Sequence, residues 1–179
     1  MKKFLLPLTA ALLLSPSALA DHQDMNLGQI SPDTVCLDQV VYYNGDKQDP
    51  AQEAQLKKVL KGLAAKSSVG FNTTGKNCLA HGVFFVDSFK SDKGFYVYSI
   101  DFSLILNAAG IVAGYDETEE EPVEMELIVA NPEIWNAGSF GYAESYSVLG
   151  KKSEAKLREY FELFQDTWQS AQEEHESEE

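Results

Sequence analysis

The side chains of this sequence best suited to chemistry are its carboxylates, with 28 Asp and Glu against 14 Lys and Arg and only three His. The densest group is the run Asp116-Glu117-Thr118-Glu119-Glu120-Glu121. Carboxylate oxygens are the hard ligands that Ca²⁺ takes, but this run lacks the alternating ligands and central glycine of an EF-hand loop. It reads as a solvated turn, with weak divalent-cation binding by residues 116–121 as the lesser alternative. No residue is assigned as a metal ligand.

Asp101 and Glu144 stand out because both fall within segments that pattern as strands. Glu144 has the parity of Phe140, Tyr142, Tyr146 and Val148, on a face expected to be apolar. A carboxylate there must be paired, protonated or set at an opening in the core. Such a group could serve as half of a general acid/base pair. A small hydrolase using Asp101 and Glu144, with His81 as a further member, is therefore one reading. A sheet edge or a bulge that resets the parity explains Glu144 without chemistry, and is preferred.

His81 precedes Gly82 at the start of a β-rich segment, with Asp87 further along. A His–Asp pair needs a nucleophile or a metal before it can act. The sequence contains no G-x-S-x-G elbow, H-E-x-x-H helix or phosphate-gripping glycine loop. His22 and His175 fall in segments expected to be tails, which position catalytic groups poorly. No catalytic residue and no cofactor is assigned, and an enzyme is the less favoured class. Trp135, at the centre of the connection 131–138, is a weak binding candidate. It could anchor a partner or fold back as a plug on the core.

Cys36 and Cys78 are the only cysteines. They lack C-x-x-C spacing and have no histidine partner set, so a structural disulfide is expected wherever the compartment is oxidising. The closed loop of about 43 residues would contribute roughly 4 kcal/mol by chain entropy.

The first twenty residues supply the compartment. Lys2 and Lys3 open a run from Phe4 to Leu14 that is apolar except for Pro7 and Thr9. Ser15-Pro16 then breaks it, and Ala18-Leu19-Ala20 is a small-x-small exit. This is the order of a cleavable signal peptide. The run is about eleven residues, against roughly twenty for a span. No cysteine follows the cut to carry a lipid. The chain is expected to be exported, periplasmic or secreted, and soluble once residues 1–20 are removed.

Removing Lys2 and Lys3 leaves 12 basic against 28 acidic residues, a formal charge of −16. A phosphate footprint needs clustered Lys and Arg, so nucleic acid is excluded as a partner. Docking on an anionic membrane is disfavoured on the same ground, and no stable membrane insertion is expected.

The elements that must position these groups follow from periodicity. A short strand is read at 35–43, then the turn Asn44-Gly45-Asp46, then Asp49 as an N-cap with Pro50 at the first helical position. Leu56, Val59, Leu60 and Leu63 mark an amphipathic helix over 51–65. Residues 67–77 read as a loop. A strand at 83–89 meets one at 95–106 through Ser91-Asp92-Lys93-Gly94. In the second strand Tyr96, Tyr98, Ile100, Phe102, Leu104 and Leu106 share a face, opposite Ser99, Asp101 and Ser103. Residues 123–129 and 139–149 read as two further strands. Leu157, Tyr160, Phe161, Phe164 and Trp168 form the stripe of a last helix over 153–172.

These elements give an α+β domain with an antiparallel sheet of about four strands. An N-terminal and a C-terminal amphipathic helix flank it in sequence, and the latter packs on the sheet. The organisation is a leader at 1–20, one domain at 21–172 with a loosely held arm at its start, and an acidic disordered tail at 173–179. The favoured function is a small soluble envelope module that binds a ligand or another envelope protein through one sheet face or through Trp135.

Overall fold

The computed structural model of the chain describes residues 27–28, 30–112, 126–130 and 133–178. The leader at 1–20 and the acidic run 116–121 lie outside them. A 3₁₀ turn at Pro32–Thr34 leads into β1 (Val35–Asn44), which turns back through Gly45 into the two-residue β2 (Lys47–Gln48). Gly45 sits at φ 63°, in the left-handed region that glycine adopts without steric cost. Asp49 then caps α1 (Pro50–Ala64), accepting hydrogen bonds from the Ala51 and Gln52 N–H groups at 3.0 Å, with Pro50 in the first turn.

β3 (Ala80–Lys90) and β4 (Tyr96–Leu106) form the expected hairpin, paired from Ala80–Leu106 to Lys90–Tyr96. The chain continues as β5 (Ala108–Val112), β6 (Glu126–Ala130), β7 (Glu133–Ala143) and α2 (Tyr146–Glu178). The main sheet has the order β2-β1-β3-β4-β7. β5 and β6 pair with each other, and Ala108↔Ala130 follows in register from Ile105↔Glu133. The β5–β6 pair thus carries on the ladder of β4 and β7.

Both helices lie on one side of the sheet. The inward positions of β3 and β4, among them Phe84, Val86, Ile100, Phe102 and Leu104, are buried against Leu56 and Leu60 of α1 and the α2 stripe. Every member of that stripe is buried: Leu157, Tyr160, Phe161, Phe164 and Trp168. At about 1.5–3 kcal/mol for each large apolar side chain removed from water, the stripe is a principal source of stability. Phe164 is its centre, with ring centroids at 4.9 Å from Trp135, 5.3 Å from Phe71, and 5.6 Å from both Phe102 and Trp168. The Cys36–Cys78 disulfide is formed, with 5.6 Å between its Cα atoms.

Several expectations are corrected. The sheet has five strands and is mixed, because β1 runs parallel to β3 with α1 as the crossover between them. A helix therefore does lie between two strands of the sheet. β7 starts at Glu133, so Trp135 belongs to a strand and not to a connecting loop. α2 begins at Tyr146, where Ser145 Oγ accepts from the Val148 N–H at 3.3 Å. It continues to Glu178, through most of the segment expected to be a disordered tail. The start of the domain is held as well: Leu27 is fully buried, and Gln172 Nε2 donates to the Leu27 and Gly28 carbonyls at 3.0 and 3.3 Å.

The largest correction concerns the faces of β7. Trp135 and Ala143 point to the core, whereas Phe140 is 90% and Tyr142 66% exposed. The reason is room. Tyr98 lies across β7 on the helix side, so a Cβ at Gly141 would sit 2.8 Å from its hydroxyl oxygen. Beside Tyr98 the inward side of β7 has no room for a side chain at position 141, and the inward residues from 137 to 143 (Ala137, Ser139, Gly141 and Ala143) are all small. The large aromatic residues take the other face.

Candidate functional site

The face of the sheet away from α1 and α2 is covered by no helix among the described residues. Its composition follows from the cross-strand register. Phe85, Asp101 and Gly138 lie side by side in one row; Asp87, Ser99 and Phe140 form the next; Phe89, Val97 and Tyr142 form the one after. Phe89 is 54% exposed. The surface thus sets the polar side of β4, Ser99, Asp101 and Ser103, between aromatic residues contributed by β3 and β7.

A depression of about 490 Å³ opens on this face over β4 and β7. Ser99, Asp101 and Ser103 line it from β4, and Glu133, Asn136 and Phe140 from β7. Gly138 gives it its floor. The Asp101 carboxylate lies where a Cβ at position 138 would stand, so only glycine lets this acid lean across β7. Glu133 is held by a hydrogen bond from the Asn136 side-chain amide. Partial burial, and then the negative charge of Glu133, hold the Asp101 carboxyl above its ordinary range, with the Ser99 hydroxyl opposing them. A positive charge entering the depression opposes both causes by favouring the ionised carboxylate. The chemistry on offer is recognition of a cation beside an aromatic ring.

His81 and Asp87 do not pair. His81 Nδ1 instead faces Asp38 Oδ1 of β1 at 3.7 Å, beyond hydrogen-bonding distance, and both atoms are buried without a hydrogen-bond partner among the described residues. The three members of the hydrolase reading are also not assembled. Asp101 stands opposite Gly138, and Glu144 follows the end of β7 six residues further on, a separation of about 20 Å at strand spacing. Glu144 is exposed, so the concern that it is a carboxylate in the core does not arise. His81 pairs with Ile105, four residues along β4 from Asp101, or about 13 Å.

Trp135 is 3% exposed and packs on Phe102 and Phe164. It plugs the core and presents no surface to a partner. The residues that sequence reasoning missed are Phe140, Tyr142, Glu133 and Gly138. The available signal was the run of small residues at every second position from Ala137 to Ala143, which marks the side of a strand against which something packs closely.

A second depression, between the two helices, is lined by Gln52, Gln55, Tyr146, Gly150 and Glu154. Beneath it the Tyr146 hydroxyl donates to Asp49. That bond holds the Asp49 carboxyl below its ordinary range, and burial and the same bond push Tyr146 up. This arrangement joins the helix starts and is structural. No described helix is long and apolar enough to cross a membrane. No family model, curated protein or solved structure matches this chain.

Proposed function

We propose that the chain is a small exported binding or interaction module of the cell envelope that engages its partner through the uncovered sheet face. One observation carries this reading: Phe140, at 90% exposure, stands with Tyr142 and Phe89 on one side of a sheet whose other side packs against both helices. Large aromatic residues are costly to leave in water and are the residue types on which interfaces concentrate their binding energy. The leader and the disulfide support the envelope as the compartment.

A photo-crosslinking residue placed at position 140 in the exporting cell tests the reading. The reference is the same residue at Leu163, which is 50% exposed on the helical side. Adducts at 140 and none at 163 are expected. Equal labelling at both positions, or none at 140, would sink the proposal.

A further inference from the structure

We infer that the partner of this face is an extended, Lys- or Arg-bearing segment of another protein, which adds to the free edge of β7 and sets a cationic side chain over Asp101 at Gly138. The inference rests on the interaction reading above and names the partner's chemistry.

The first support is the edge. Among the described residues no strand pairs with the outer side of β7, an eleven-residue strand without proline or lysine. A strand of this kind is a template for pairing. One end is already closed: Lys152 reaches over from α2 and donates to the Tyr142 carbonyl at 2.8 Å. That bond shows that the backbone of Tyr142 points away from β4. By the two-residue repeat of a strand, the backbones of Phe140, Gly138 and Asn136 point outward too.

The second support is charge and shape at the same residues. An added strand lies about 4.8 Å from β7, and its alternate side chains stand on the open face. At position 138 there is no side chain to block them, and the Asp101 carboxylate already leans into that gap. Glu133 adds a second negative charge and Phe140 an exposed ring. Lys and Arg answer all three, by ion pairing and by contact with the ring face. A second copy of this chain is a poor occupant, since the formal charge of each copy is −14 even with the leader. The chain's own 113–125 segment is acidic and is disfavoured for the same reason.

The test titrates the exported chain with a blocked peptide of about ten residues alternating lysine and valine, followed by fluorescence anisotropy. Binding is expected, weakening on the order of tenfold between low and physiological salt. A glutamate–valine peptide should not bind, and N-methylation of alternate peptide amides should abolish binding by removing the edge hydrogen bonds. Asp101→Asn with Glu133→Gln should cost about tenfold, while Asp92→Asn in the distant hairpin turn should leave affinity unchanged. Urea midpoints for these variants separate lost binding from lost folding. The inference fails if the lysine and glutamate peptides behave alike or if N-methylation changes nothing. It also fails if the chain is a dimer by light scattering, or if the crosslink from 140 lands on residues 113–125. If the lysine peptide fails while position 140 still crosslinks to another protein in the cell, the inference falls and the interaction reading stands.

Discussion

Two phenylalanines of this chain should respond oppositely to the same truncation, and the contrast tests the sidedness on which the functional reading depends. Phe164 is fully buried within contact of four aromatic rings, while Phe140 is 90% exposed. A buried Phe removes about 150–250 Å² from water, which at about 25 cal/mol per Å² is roughly 4–6 kcal/mol before denatured-state burial is discounted. Phe164→Ala should therefore cost about 3–5 kcal/mol, because a cavity ringed by aromatic side chains collapses poorly. Phe140 removes only a tenth of such an area, worth about 0.5 kcal/mol, and loses a further fraction of a kcal/mol of strand preference. Phe140→Ala should thus cost less than about 1 kcal/mol. Urea unfolding of both variants, followed by far-UV circular dichroism, measures the difference. A Phe140→Ala loss above about 2 kcal/mol would mean that something covers this face and would refute the reasoning.

Other outcomes follow from the same packing. Trp168→Ala should cost more than about 3 kcal/mol, since the indole is 1% exposed against Phe71 and Phe164; an unchanged urea midpoint would refute this. Replacing Cys36 and Cys78 by Ser should remove up to about 4 kcal/mol, read as a lower melting temperature that a reductant no longer changes. The Asp49 carboxyl is held low by Tyr146 and by the α1 cap, so its charged form contributes stability above its ordinary value of 3.8, and that contribution is lost as the pH falls through the depressed folded value. Wild type should therefore converge on Asp49→Asn in strongly acidic buffer; a pH-independent gap in urea midpoint between the two would contradict this. The Asp101 carboxyl is shifted the other way, so its charge opposes folding at neutral pH and protonation relieves it. Asp101→Asn should raise the midpoint slightly at neutral pH and lose that advantage in acid; a lower midpoint at neutral pH would count against the burial and charge repulsion assigned to this carboxylate.

The sequence was most legible where one physical demand acted alone. Six alternating apolar residues defined the buried face of β4, and Asp49-Pro50 marked the start of α1 because capping chemistry is local. The stripe from Leu157 to Trp168 specified its own burial. β7 was misread because two demands competed there. Phe140 and Tyr142 suggested an inward face by hydropathy, while the bulk of Tyr98, three-dimensionally adjacent but distant in sequence, leaves room only for glycine on the inward side at position 141. The start of α2 was hidden by Tyr146-Ser147-Val148, which alternates like a strand; Ser145 as a cap was the countersign. The parallel placement of β1 was not legible at all, since nothing local to residues 35–44 says which strand they will join. The candidate site inherited these errors. Asp101 was visible as an acid in a strand, but the Gly138 gap beside it depends on a cross-strand register that only the fold supplies.

The disulfide has a consequence for the order of assembly. Cys36 is the register partner of His81, and Cys78 lies just ahead of β3, so the bond ties together the leading ends of the two parallel strands. Without it, β1 must find β3 across a helix and a long loop, the kind of non-local search that slows folding. Once oxidised, the chain starts that search with the ends already adjacent, and the helix closes over a preset crossover. Refolding of the oxidised chain should outpace that of the Cys36→Ser, Cys78→Ser variant by more than their stabilities alone dictate. Oxidation of this pair then acts as a timing element, setting when the acidic, aromatic-lined face first takes shape.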